Sequence, residues 1–394
     1  MRAFVFTDPT LASQAGRFVW LELNTEKADN APVTKRLAVS ALPSFFVLDP
    51  ADERVALRWV GGATTPHLIH ILDDARLAVA SGASGGVRHE TTPADLALAR
   101  ADSLYGRADY AGAATAYDAA IAAAADGWPR YGRVVESLLY CLDQTGGYLR
   151  GAELALAAYP RLARSPSAAS VASSGLDCAV SLKEDDPRRT ELLAKLEPIA
   201  RAVADDRTLA MAADDRSGVY ISLLDARDAA KDSVGHHAVA EAWSGFLDGE
   251  AARARTPIAR AVFDPHRLSA YIELGHAERA IPMLEASERD FPDDYNPPAR
   301  LANAYRALKR WDEALAASDR AMQRAYGPRK LLLYANRTDI FLGRADSTSA
   351  RRTVQEAIAH AKSLPAGQTS ERTIANLEKR LAALGGAPPP TGAR

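Results

Sequence analysis

Cysteine is nearly absent: among 394 residues only Cys141 and Cys178 carry thiols. Two thiols so far apart in sequence exclude a disulfide framework, and no Cys-x-x-Cys occurs. Long apolar runs are missing too, and none approaches the roughly 20 residues of a membrane-spanning helix. Charge of one sign does not accumulate. The net charge of −2 gives no basic field of the kind that draws nucleic acid or an anionic membrane, so neither is expected as a partner. No Walker loop and no dinucleotide fingerprint appears, which leaves no ATP or NAD site to expect, and no cofactor is expected. The first eight residues, MRAFVFTD, hold too short an apolar run for a secretory signal. As it stands the chain reads as cytoplasmic; a start upstream of Met1 carrying a leader would make it periplasmic.

What is present divides into two compositions. Hydrophobic residues make up 47% and charged residues 25%, ordinary values that allow a large core without staples. Residues 1–79 read as α/β. Residues 18–23 (FVWLEL) have the aromatic and branched content of a strand. Residues 27–37 carry a helical pattern with Pro32 suited to the first turn. Residues 40–50 (SALPSFFVLDP) run through a proline into an apolar strand. Proline is tolerated at a strand's first residue, and an X-Pro bond is where a cis peptide costs only about 0.5–1 kcal/mol. Such a corner exposes the backbone of Leu42, so Leu42 and Pro43 are candidate peptide-binding residues. A turn at residues 49–52, a strand over 54–60, Gly61-Gly62 and a helix from Thr65-Pro66 follow. Leu68, Leu72, Ala75 and Val79 share one face of that helix.

This order of elements, with Ala41-Leu42-Pro43-Ser44-Phe45-Phe46-Val47-Leu48-Asp49 as the proline-led strand and Gly61 or Gly62 after the last strand, resembles the C-terminal two-thirds of a thioredoxin fold. The resemblance covers about the first fifth of the chain. It implies a peptide-facing cis-proline edge. The redox dithiol of that family has no counterpart here, and Met1 falls where its first long helix would be under way. The family's first core strand would lie between residues 18–23 and 45–48. Either coding sequence upstream of Met1 supplies that strand, or the two flanking strands pair directly, because buried unpaired backbone groups cost about 1–3 kcal/mol each.

Residues 80–92 are small and glycine-rich, as a flexible linker is. Beyond them strands disappear and alanine, leucine, arginine and aspartate recur at helical spacing. Ala280 and Ala314 lie 34 residues apart. Tyr271, Gly275, Ala280, Leu284 and Pro292 form one frame. Leu301, Ala302, Tyr305, Trp311, Ala314 and Ala321 form the next. An earlier frame holds Ala101, Leu104, Tyr110, Ala113, Tyr117 and Ala120, and a looser later one Leu342, Ala350, Val354 and Ala357. These frames resemble the tetratricopeptide repeat, in which small residues let two helices approach and aromatics fill the gap to the next pair. Leu268 and Ser318 depart from it, standing where the family prefers a small residue and an aromatic. The candidate packing residues are therefore Tyr110, Ala113, Tyr271, Ala280, Tyr305, Trp311, Ala314 and Ala321. Residues 130–260 read as degenerate helical hairpins, residues 370–384 as a capping helix and residues 385–394 as a disordered tail.

The fold class expected is thus multidomain, α/β plus all-α. A partial thioredoxin-like sheet (1–79) and a linker (80–92) precede a tetratricopeptide-type α-solenoid (93–384) and a tail (385–394). Candidate chemistry is sparse. Cys141 and Cys178 sit in apolar helical stretches and read as small core residues. Gly82-Ala83-Ser84-Gly85-Gly86 matches the nucleophile-elbow pattern but lies in the linker, without the strand that motif requires. His237 and Glu241 share a helix face without the further ligands of a metal site, and read as surface residues. Neither a catalytic constellation nor a metal site is expected. The function expected is an interaction scaffold: a redox-inactive thioredoxin-like module followed by repeats that bind peptides or partner proteins. The alternative is a thiol–disulfide oxidoreductase whose Cys-x-x-Cys lies upstream of Met1. The oligomeric state is not legible.

Overall fold

The computed structural model describes residues 4–39, 41–82 and 92–385. In chain order the elements are α1 (Ala31–Arg36), β1 (Ser44–Leu48), β2 (Val55–Val60), α2 (Thr65–Gly82), α3 (Pro93–Gly106), α4 (Tyr110–Ala123), α5 (Tyr131–Gln144), α6 (Tyr148–Leu162), α7 (Ala168–Val180), α8 (Arg189–Asp205) and α9 (Ala213–Ala229). They continue with α10 (Ser233–Arg253), α11 (Pro257–Ala261), α12 (Asp264–Glu273), α13 (Ala280–Asp290), α14 (Asn296–Ala307), α15 (Trp311–Arg324), α16 (Lys330–Gly343), α17 (Ser347–Ser363) and α18 (Glu371–Ala383). The chain forms two compact units: residues Met1–Val19 with Leu37–Gly245, and residues Trp20–Arg36 with Phe246–Arg394.

The helices pair as hairpins, and the turn chemistry shows why. After α3, α5, α9, α12, α14 and α16 a single residue turns left-handed: Ala108, Gly146, Lys231, Gly275, Lys309 and Ala345. In each case the next residue's N–H returns to a carbonyl in the last turn of the helix. The pairs are Asp109 to Leu104, Gly147 to Leu142, Asp232 to Arg227, His276 to Tyr271, Arg310 to Tyr305 and Asp346 to Phe341, at 2.7–3.0 Å. This is the Schellman closure, which satisfies carbonyls that the helix end would otherwise leave without partners. Four of the six residues are not glycine, so each of those turns carries some strain. Side chains then cap several of the helices that follow. Asp109 accepts from the Gly112 N–H at 3.0 Å, and Asp346 from that of Ser349 at 2.9 Å.

Five residues past five of these six turns comes a small residue, Ala113, Gly151, Ala280, Ala314 or Ala350; past Lys231 the position holds His236. All five are buried, and the four alanines are fully covered. At Gly151 a Cβ would stand 2.6 Å from the Cys178 sulfur, so even a methyl has no room. That close contact joins α6 to α7, and only a side chain as small as glycine's on α6 permits it. One core gathers Leu98, Tyr105, Tyr117, Val134, Leu138 and Leu142. Another gathers Leu268, Tyr271, Leu284, Leu301, Tyr305 and Ile340.

The N-terminal α/β part is smaller than the thioredoxin resemblance implies. Among the described residues the only sheet is β1 paired antiparallel with β2, Phe45 opposite Trp59 and Val47 opposite Leu57. The hairpin between them is tied by Asp49, whose carboxylate accepts from the Ala51 N–H and binds Arg54 at 3.0 Å. Leu57, Trp59, Leu68, Ile71, Leu72 and Ala75 form its core with Val5. The strand expected at residues 18–23 is not formed, nor does that stretch pair with β1. Val19 is 90% and Leu21 80% exposed. Strand propensity expresses itself only where a second strand lies alongside, and β1 has β2 as its ladder partner. The linker expectation falls largely on residues 83–91, outside the described residues, as do most of the elbow-like glycine stretch and residues 386–394 of the expected tail.

Candidate peptide-binding surfaces

Leu42 and Pro43 stand exposed just before β1, Leu42 at 55%, and the peptide bond joining them is cis. The Pro43 carbonyl accepts from the Gly61 N–H at 2.9 Å, and Ser44 Oγ donates to the Ala41 carbonyl at 2.6 Å. The corner is thus held at the end of β2, with Leu42 directed to the surface.

Behind that corner the α/β part is fastened to α3, α4 and α5 by buried charge. Arg133 binds Asp102 through both terminal nitrogens at 3.0 and 3.1 Å and Asp74 through Nε at 3.0 Å. Arg130 bridges Asp74 and Asp95, each at 2.8 Å. Tyr117 donates to Asp102 at 2.8 Å. Burial opposes the Arg133 charge, but Asp102 and Asp74 outweigh it and raise its pKa. Arg58 is fully buried, with its guanidinium 5.3–5.8 Å from the ring centres of Phe46, Tyr105 and Tyr110, and it donates to the Ala38 carbonyl. Burial, with help from His70 and Arg133, pushes His67 down to about 4, so it stays neutral. Glu136 is pushed up to about 8 by burial, against hydrogen bonds from Ser167 and Ser170. None of this was legible in sequence, because Arg133 and Asp74 are 59 residues apart.

The candidate packing residues divide between the units. Tyr110 and Ala113 belong to the α3–α4 hairpin, where Tyr110 meets Tyr105 and Tyr140 edge-on. Tyr271, Ala280, Tyr305, Trp311, Ala314 and Ala321 lie in the second unit. Tyr271 donates to Asp248 at 2.5 Å, and Trp311 packs where Gly343 leaves room for its indole. Leu268 and Ser318, the two departures from the repeat pattern, are both buried.

The second unit holds one feature that sequence reasoning missed. Residues 24–36 were expected to complete the α/β part; instead they lie on the hairpins α14 to α18. The Gln368 side-chain amide donates to two main-chain carbonyls, Thr25 at 3.0 Å and Lys27 at 2.9 Å. The Glu26 carboxylate accepts from the Tyr295 hydroxyl at 2.8 Å and pairs with Arg329 at 3.6 Å. Burial and the Glu26 carboxylate both raise the Tyr295 pKa, which keeps the hydroxyl a donor. Asn24 donates to the Tyr326 hydroxyl at 3.0 Å. Gly327 turns left-handed against this segment, and a Cβ there would collide with the Glu26 carbonyl. Gly367 does the same for α1, with the Ala31 carbonyl 3.0 Å from where a Cβ would be. His360 supports the Gly327 carbonyl at 2.9 Å.

The remaining candidates are structural. Cys141 and Cys178 are free thiols, each buried and pushed up to about 12 by that burial, so neither is a nucleophile near neutral pH. His237 and Glu241 face one another at 3.5 Å on an exposed helix surface. Among the described residues no group of His, Cys, Asp and Glu is arranged to hold a metal ion, and no helix is long and apolar enough to cross a membrane.

No family model and no curated protein matches the sequence. Similar solved structures include a tetratricopeptide repeat protein from Parabacteroides merdae, 12% identical, covering 74% of this chain and 99% of its own, at a TM-score of 0.43. The TPR2AB domain of yeast Sti1 in complex with pHSP90 is 16% identical over 73% of this chain and 98% of its own, at 0.26. Yeast Tom70 is 11% identical over 74% and 95%, at 0.19. At these TM-scores the helical-repeat architecture rests on the hairpins described above: a mostly helical chain of tetratricopeptide-like pairs with one small two-stranded sheet.

Proposed function

We propose that the protein is an interaction scaffold whose helical hairpins bind linear segments of partner proteins. The observation that carries this reading is the grip of Gln368 on two carbonyls of an irregular segment. A side-chain amide that bonds main-chain carbonyls recognises backbone as such, largely independent of side-chain identity, here the turn at residues 24–27 that leads into α1. The neighbouring Tyr295 and Arg329 add a preference for a carboxylate. The α/β part serves as a redox-inactive, thioredoxin-like module, and its exposed Leu42-Pro43 corner as a second, smaller peptide edge. Selection of a random linear-peptide library on the full chain tests the reading. Enriched peptides are expected to lose at least tenfold in affinity to Gln368→Ala or Tyr295→Phe variants of unchanged helical content. An unproductive selection, or peptides that bind both variants undiminished, would contradict it.

A further inference from the structure

We infer that residues 24–36 are a tethered stand-in ligand: they fill, in cis, a site for glutamate-bearing linear segments, and a partner segment of that chemistry binds by displacing them. The inference rests on the peptide-binding reading above and gives it a ligand class and a control.

The ligand class follows from the contacts. Tyr295 and Arg329 converge on one carboxylate, that of Glu26. Gln368 reads the carbonyls on either side of it, those of Thr25 and Lys27. Gly327 lets the backbone at the glutamate approach, and Gly367 admits the turn that places Ala31. The preferred segment therefore presents a glutamate, flanking carbonyls turned to one side, and an alanine-sized residue five positions on.

Two observations mark the occupant as replaceable. Ala31 is the one buried residue between 24 and 36; every other side chain there is half-buried or exposed. The segment is thus held chiefly by polar contacts, each worth a net ~0.5–1.5 kcal/mol, and not by an apolar core. In addition, Gln368 Oε1 and Thr369 Oγ1 are buried at this site without a hydrogen-bond partner while the segment is in place. Gln368 itself is only 8% exposed. A buried acceptor without a donor is costly, so a ligand that brings N–H groups to these two atoms satisfies what residues 24–36 leave undone. Against this stands the tether. The segment continues into the chain at both ends, which gives it an effective concentration of about millimolar order. A free competitor sees only the fraction of sites that are open, and its apparent affinity falls by that fraction.

A fluorescein-labelled synthetic peptide of residues 20–37, followed by anisotropy, tests this on the full chain. An Asn24→Ala/Glu26→Ala variant, shown by circular dichroism to keep its helices, is expected to bind the peptide at least tenfold tighter than the unsubstituted chain. Adding Gln368→Ala should remove that gain. On the unsubstituted chain, a measurement that needs no variant, excess peptide should raise amide deuterium uptake at residues 24–36. Equal affinity for both chains, with uptake unchanged, would overturn occupancy in cis while leaving peptide binding intact. Binding that ignores Gln368→Ala would overturn the site assignment. No binding to either chain would overturn both this inference and the function it rests on.

Discussion

The two units hold their non-repeat guests by different chemistry. In the first, β1, β2 and α2 are fastened to α3, α4 and α5 by Arg133, Asp74, Asp102 and the buried Arg58. In the second, residues 24–36 rest on hydrogen bonds from side chains to main-chain carbonyls and on one partly exposed carboxylate. A buried ion-pair network ties one specific set of side chains together and is expensive to break. Contacts to main-chain carbonyls suit segments of varied sequence that adopt this turn and are individually cheap to exchange. The same kind of helical hairpin thus supports one permanent guest and one exchangeable guest.

Breaking the permanent attachment should give the largest effect. Arg133→Met leaves Asp102 buried without its cation, while Asp74 keeps Arg130, and should cost about 3–5 kcal/mol in denaturant titration. Next comes the hairpin packing common to both units. Ala280→Trp or Ala314→Trp forces a large ring into a fully buried contact and should cost about 1–3 kcal/mol or more. Unchanged melting in both variants would refute the packing register.

One pH effect should come from Glu136 in the first unit. Folding raises Glu136 from 4.5 to about 8, so the folded state holds its proton more tightly. The stability this contributes is complete below about 4.5 and is lost as pH rises toward about 8. Asp177 and Asp215, each pushed up to about 6 by burial, add a decline below that pH, so Glu136→Gln should flatten the part of the profile between about 6 and 8, and a decline that persists there would assign it to other groups. The smallest effect concerns the strained turns. Lys309→Gly or Ala345→Gly relieves a left-handed backbone and should stabilise by about 0.5–1 kcal/mol, measured by thermal melting.

Legibility in the sequence followed the range of the interactions. The hairpins of residues 263–325 are readable because their determinants, Tyr271, Gly275 and Ala280, then Tyr305 and Ala314, recur within a few turns of helix. The left-handed closures at Lys231, Lys309 and Ala345 are harder to see, since none is glycine. Residues 18–23 mislead, because their composition suits a strand and a ladder needs a neighbour that the local sequence does not specify. The docked segment is the extreme case. Gln368 and Thr25 are 343 residues apart, and no periodicity connects them. The corner at Leu42-Pro43 shows the opposite: its proline announces the local geometry, while what binds there lies outside any local signal.

Denaturant-dependent amide hydrogen exchange on the full chain tests the contrast between the two guests most directly. Residues 24–36 should exchange through a local opening of low free energy that is nearly independent of denaturant, while the amides of β2 and α2 should exchange only with global unfolding of their unit. Protection of residues 24–36 equal to that of β2, with the same denaturant dependence, would contradict the account.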